Sequence, residues 1–186
     1  HLHLDNNHTI KRLGWHGFLD CLWNSHSAME SLSLSDCKIS TEVAVAAVLA
    51  LANNATVKKL DLSINPYITS SAGTVVALVL CNKTSVESTF SSKHTLVKLV
   101  GSLSEDSDDW YDITSSLKMN ENADKSEVAR EKILKHHFPM DRTGIQEFAR
   151  MSETIMPNAI EWTGRNRLSR LSLMYELARG LPTLFE

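Results

Sequence analysis

Short bursts of alternating leucine and polar residues recur along the first hundred positions. Leu2-His3-Leu4, Leu32-Ser33-Leu34 and Leu60-Asp61-Leu62 each put two aliphatic side chains on one side of an extended segment and a polar one on the other. The match reaches beyond the leucines. Met29-Glu-Ser-Leu32-Ser-Leu34-Ser-Asp-Cys37-Lys-Ile39 lies over Val57-Lys-Lys-Leu60-Asp-Leu62-Ser-Ile-Asn65-Pro-Tyr-Ile68, with Leu32 to Leu60, Leu34 to Leu62 and Cys37 to Asn65 each 28 apart. Leu2 to Ile10 repeats the pattern thirty residues earlier. A worn fourth copy is expected with Phe90 in the place of Leu62 and Lys93 in the place of Asn65. The tails His8-Thr-Ile-Lys-Arg-Leu13 and His94-Thr-Leu-Val-Lys-Leu99 also agree.

Helical stretches separate these pieces. Residues 40–53 open on a capping serine and are rich in alanine, and residues 70–82 follow 29 positions later, with Asn82 answering Asn53. One strand, turn and helix cannot bury its own apolar face, so such units must stack. Asn7, Cys37 and Asn65 fall where the strand ends. A buried Asn there satisfies turn backbone groups; Cys37 does so only weakly. Asn7 is expected to be buried in that role.

The shared LxxLxLxx[NC] pattern with a following helix resembles the leucine-rich repeat proteins, of the ribonuclease-inhibitor-like class, over roughly half the chain. The resemblance implies an α/β solenoid with parallel strands on the concave side and helices on the convex side. It also implies a protein-interaction module without catalysis. The outward strand positions are then the candidate protein-binding residues: His3 and Asp5; Ser31, Ser33, Ser35 and Asp36; Lys59, Asp61, Ser63 and Ile64.

Beyond residue 101 the repeat stops. Residues 102–124 carry a net charge of −6, between +1 for residues 1–101 and +2 for residues 125–186. An acidic loop or insertion with a short helix is expected over 102–123, because clustered like charges favour solvated segments. Residues 124–186 read as helices. Asp124-Lys-Ser-Glu127 is a capping box ahead of 128–134. Ile145, Phe148, Ala149 and Met151 form one stripe, Pro157 suits a helix start, and Gly180 and Pro182 close a last helix. An all-helical C-terminal cap that shields the last repeat is the expected role.

Composition narrows the function further. Only 7 glycines are present, with no GxxxxGK[ST] or GxGxxG phosphate loop. A net charge of −3 gives no general electrostatic case for nucleic acid or an anionic membrane as partner. The longest apolar run, Val43 to Ala52, is ten residues, where a membrane-spanning helix needs about 20. Three cysteines (Cys21, Cys37, Cys81) are an odd number at no metal-like spacing, which points to reduced thiols and a cytoplasmic protein. The sequons at Asn7, Asn54 and Asn82 recur with the repeat, which explains the asparagines structurally. The opening His-Leu-His-Leu-Asp already has strand character, so a piece of a longer repeat protein is expected.

Eight histidines invite a search for chemistry. His1 and His3 share one side of a strand but have no third ligand, and His8 and His94 appear as repeat equivalents. His136-His137 end a basic helix, where they suit free carbonyls. No HExxH, GxSxG or CxxC occurs. Arg165, Arg167 and Arg170 suit a solvated face. No enzyme activity, cofactor or metal is expected. The alternatives are a structural capping fragment of a larger repeat scaffold, or an enzyme or metal protein using the histidines.

Overall fold

The alternating leucine pairs form strands, and the alanine-rich stretches form helices. In the computed structural model, residues 1–23, 28–52, 54–101 and 108–137 are described. They run β1 (Leu2–His3), α1 (Arg12–Trp23), β2 (Ser31–Ser33), α2 (Thr41–Ala52), β3 (Lys59–Asp61), α3 (Ser71–Leu80), α4 (Val86–Phe90), β4 (Lys98–Val100), α5 (Asp108–Met119) and α6 (Lys125–His137). The result is an α/β architecture with a four-stranded, all-parallel sheet in the order β1-β2-β3-β4. The predicted helices beyond residue 137, and the Arg165, Arg167 and Arg170 patch, lie outside the described residues.

The chain divides into two compact units, residues 1–82 with 92–125, and residues 83–91 with 126–186. The first holds the whole sheet with α1, α2, α3 and α5. In it α1 packs on α2, α2 on α3, and α3 on α5. Leu2, Leu32, Leu60 and Leu99 stand side by side in register, so one leucine of each strand forms a continuous row. Leu32, Leu34, Leu60 and Leu62 are buried with Ile39, Leu51 and Leu80 between sheet and helices. Burying each such side chain contributes about 1.5–3 kcal/mol. Opposite Leu62, where the row would place a leucine, β4 is followed by Gly101. Its φ is 156°, and a Cβ there would stand 3.3 Å from the Leu62 Cβ. Glycine is required by both the backbone and the close approach.

The turns after the strands are held by the residues that the repeat singled out. Asn65 is 5% exposed, and its Nδ2 donates to the carbonyls of Leu34 (2.8 Å), Leu62 (3.0 Å) and Ser63 (3.1 Å). Its Oδ1 accepts from the backbone N–H groups of Cys37 (3.0 Å) and Ile39 (3.2 Å). One side chain thus ties two successive turns together. Cys37 does part of this work one repeat earlier, its thiol donating to the Leu4 carbonyl at 2.9 Å and the Ser35 carbonyl at 3.4 Å. Burial pushes that thiol's pKa up, which keeps it protonated and able to donate. Asn7, at the sheet edge, is half-buried rather than buried, since among the described residues no strand flanks β1 on its outer side, and it donates to the Leu4 carbonyl at 2.8 Å.

The fourth copy departs from expectation. Phe90 lies in α4, and the strand is Lys98–Val100, with Leu99 opposite Leu60. The interval from Leu60 to Leu99 is 39 residues rather than 28, because Lys83–Ser91 interrupts the repeat and belongs to the other compact unit. The correct alignment sets His94-Thr-Leu-Val-Lys-Leu99 over Ala55-Thr-Val-Lys-Lys-Leu60. Lys93 then answers Asn54, not Asn65. His8 and His94 are not equivalent, as His8 precedes α1 and His94 precedes β4.

Two helices exceed what the pattern announced. In α1, Gly14 and Gly17 weaken the helix, yet Trp15, Leu19 and Leu22 are buried and packing outweighs propensity. In the acidic stretch, expected as a loop or insertion with a short helix, α5 runs for twelve residues, Asp108–Met119. Trp110, Ile113 and Leu117 give it a buried stripe at helical spacing, and Asp109 sits in its first turn, where the helix dipole favours a carboxylate. At its end, Asn120 Nδ2 donates to the carbonyls of Lys93 (3.2 Å) and Leu96 (2.7 Å), bracing the approach to β4.

In the second unit Ser85 caps α4 by accepting from the Ser88 N–H at 3.0 Å. Val86 and Thr89 are buried there, as are Val128, Ala129, Lys132, Ile133 and His137 of α6. Thr89 Oγ1 and His137 Nε2 lie 2.7 Å apart.

Candidate protein-interaction face

Because side chains alternate along a strand, burying the leucines turns the intervening residues to the other side of the sheet. Register aligns them in two rows: His3, Ser33, Asp61 and Val100 in one, and Ser31, Lys59 and Lys98 in the other. Asp5, Ser35 and Ser63 continue each strand by two residues. Eight of the ten residues singled out from the sequence fall in these rows or their continuation, and Asp36 and Ile64 follow in the turns. His3, Lys59 and Ile64 are exposed, while Asp5, Ser31, Ser35, Asp36, Asp61 and Ser63 are half-buried. Ser33 differs, being only 7% exposed beneath its longer neighbours.

The polar groups are organised by hydrogen bonds. The Ser33 hydroxyl donates to Asp5 Oδ1, which also accepts the Ser35 backbone N–H at 3.0 Å. Asp61 Oδ1 accepts the backbone N–H of Ser63 at 2.8 Å and its hydroxyl at 2.6 Å, which leaves Ser35 Oγ to donate to Ser63 Oγ at 2.9 Å. Ser33's hydroxyl above all, then the Ser35 N–H and nearby His3, hold the Asp5 carboxyl below its ordinary range against the opposing effect of desolvation. His3 Nδ1 stands 3.6 Å from Asp5 Oδ2, and His8 Nε2 stands 3.6 Å from Asp36 Oδ2.

Charge is segregated along the strands. Lys59 and Lys98 stand at the starts of β3 and β4, and Asp5, Asp36 and Asp61 lie at or beyond the strand ends. The sequence reading missed Lys98 and Val100 because it had shifted the fourth copy. The agreement of His94–Leu99 with Ala55–Leu60 was the signal that could have found them.

The backbone leaves the strands through a left-handed residue. Asn6 (φ 61°), Asp36 (φ 50°) and Ile64 (φ 55°) occupy equivalent positions, each four residues past the first row of leucines. Asn and Asp tolerate this conformation; a β-branched residue there is strained by about 1–2 kcal/mol. Ile64 is also 67% exposed, so internal packing does not offset the strain.

Other chemistry is sparse. Among the described residues no group of three or more His, Cys, Asp or Glu side chains is placed to hold a metal ion. A cavity of about 10 Å³ lined by Leu51, Leu60, Val76, Leu80, Leu96 and Lys93 has room for about one water, far below the several hundred Å³ of a typical ligand pocket. Cys37 and Cys81 are buried and not joined in a disulfide. No helix among the described residues is long and apolar enough to cross a membrane. Compared with protein-family models, curated proteins and solved structures, the chain matches none.

Proposed function

We propose that this chain is a non-catalytic protein-interaction module of the leucine-rich-repeat kind, acting in the cytoplasm. Its repeats form a short solenoid with strands concave and helices convex, closed by helices toward the C-terminus. A protein partner binds the strand face through His3, Asp5, Ser31, Ser33, Ser35, Asp36, Lys59, Asp61, Ser63 and Ile64. The parallel register of the leucine rows and the Asn65–Cys37 ladder support the repeat reading.

The observation that carries the binding role is Ile64. A solvated, β-branched side chain is kept in a left-handed turn where the equivalent positions hold Asn6 and Asp36. Backbone strain of this kind concentrates at functional positions. An apolar side chain on a polar rim is also the sort of group that anchors an interface.

Ile64→Asn separates the two sides of this argument. The variant is expected to be more stable by about 1 kcal/mol, because Asn accepts the left-handed conformation, and thermal unfolding checks this. Capture of the protein that co-purifies most strongly with the intact chain is expected to fall at least tenfold. Capture that survives the substitution would sink the assignment of this face.

A further inference from the structure

We propose that the partner docks through an acidic polypeptide segment, whose carboxylates seat between Lys59 and Lys98. The inference rests on the strand face being the binding surface, and it specifies the chemistry that the face recognises.

Lys59 and Lys98 are direct register partners on the parallel pair β3 and β4, and both are exposed on the outward side. Neighbouring strands lie about 4.8 Å apart, and like charges placed opposite one another destabilise a sheet. Among the described residues neither ammonium group takes part in an ion pair or a side-chain hydrogen bond. The neighbouring Lys58 shows the contrast, since its Nζ is paired with Glu30 Oε1 at 2.6 Å. Asp61, two residues along β3 on the same side, is the acidic group nearest in sequence to Lys59. Its Oδ1 is instead turned to the backbone and hydroxyl of Ser63. Glu30, the carboxylate whose charge also acts on Lys59, is held by Lys58, so among the described residues the two lysines form a cationic pair with no carboxylate in contact with either, and each offers up to three donors to an incoming carboxylate.

The rest of the face selects the kind of anion. Asp61 lies one strand step, about 7 Å, beyond Lys59, and Asp5 and Asp36 extend the negative region across the sheet. A nucleic acid bears a charge at every step of its backbone and would be repelled over this acidic region. A polypeptide can place one or two carboxylates at the lysines and follow them with neutral or basic residues opposite Asp61, then an apolar residue at Ile64.

The test uses the full chain, labelled with ¹⁵N, titrated with acetylated hexaglutamate, with hexalysine and with a twelve-base single-stranded DNA. Hexaglutamate is expected to shift the amides of Lys59, Leu60, Lys98 and Leu99, more weakly as salt is raised. Lys59→Gln combined with Lys98→Gln is expected to weaken that binding at least tenfold; the sites are exposed, and an unchanged circular dichroism spectrum verifies the fold. Shifts confined to other regions, binding that survives the double substitution, or tighter binding of the DNA at these lysines would each overturn the proposal. Capture of the natural partner distinguishes the two levels of the argument. Loss with Ile64→Asn but not with the double lysine variant would remove this inference and leave the face as the binding surface. Retention in both would remove the two together.

Discussion

Asn65→Ala is expected to destabilise the protein by about 3–5 kcal/mol, the largest effect of any single substitution considered. The side chain is buried and makes five hydrogen bonds to backbone groups of two successive turns. Truncation would strand the N–H groups of Cys37 and Ile39 away from water, at about 1–3 kcal/mol each. It would also withdraw the donor shared by three carbonyls. Against a typical total stability of about 5–15 kcal/mol, this is at least about a fifth of what holds such a domain folded. Asn65→Cys is expected to fall between Ala and Asn, because the thiol of Cys37 already shows what sulfur manages in this position: one S–H shared between two carbonyls. Asn7→Ala, at the half-buried sheet edge with a single short bond to Leu4, is expected to cost only about 1 kcal/mol. Urea denaturation measures all three. An Asn65→Ala variant within about 1 kcal/mol of the parent would show that the ladder is decorative.

Lys93 provides the second large effect, with a distinctive pH dependence. Its side chain is 3% exposed, and burial lowers its pKa from 10.5 to about 8. The folded state therefore releases its proton at lower pH than the unfolded state does. Between about pH 8 and 10.5 the unfolded chain binds more protons at this site, so stability rises with pH across that window. Below pH 8 both states are protonated and the penalty for burying the charge is fully present. At 1.36 kcal/mol per unit, it amounts to about 3 kcal/mol. Lys93→Met keeps the length of the side chain and removes the charge. The variant is expected to be more stable than the parent by about 3 kcal/mol at pH 7. The advantage should shrink steadily above pH 8 and vanish near 10.5. Parallel denaturation curves from pH 7 to 10.5 follow the difference, in which the titration of other groups cancels. A difference that is flat with pH would mean that the folded protein does not perturb this lysine.

The fold was legible where the pattern is carried by side chains that the core needs. The Leu32/Leu34 and Leu60/Leu62 pairs, with Cys37 and Asn65, placed β2 and β3 and their turns in correct register, because burial on one side fixes a strand's phase. The same reasoning failed at the fourth copy. Lys83–Ser91 lengthens the connection to 39 residues, and a fixed period then aligned Phe90 with a strand that lies eight residues further on. Helix α1 was hidden because its glycines speak against a helix, while Trp15 and Leu19 are buried in the core where α1 packs on α2. A short helix was expected within the acidic segment, but its twelve-residue length was not, since counting aspartates concealed the Trp110, Ile113 and Leu117 stripe. On the candidate face, alternation located the outward residues, but two features needed coordinates. These are the Ser33–Asp5 and Ser63–Asp61 hydrogen bonds and the left-handed backbone at Ile64. No periodicity in a sequence encodes the sign of φ.

The central claim is that the strand face, and not the helical layer, receives the partner. Hydroxyl-radical footprinting tests it directly, because both surfaces carry exposed side chains that the radical modifies: Ile64 beyond β3, and Leu78 and Tyr111 on α3 and α5. Labelling the chain alone and in complex with its co-purifying partner is expected to show Ile64 protected several-fold and Leu78 and Tyr111 unchanged. Protection of Leu78 and Tyr111 with Ile64 still fully labelled would contradict the account.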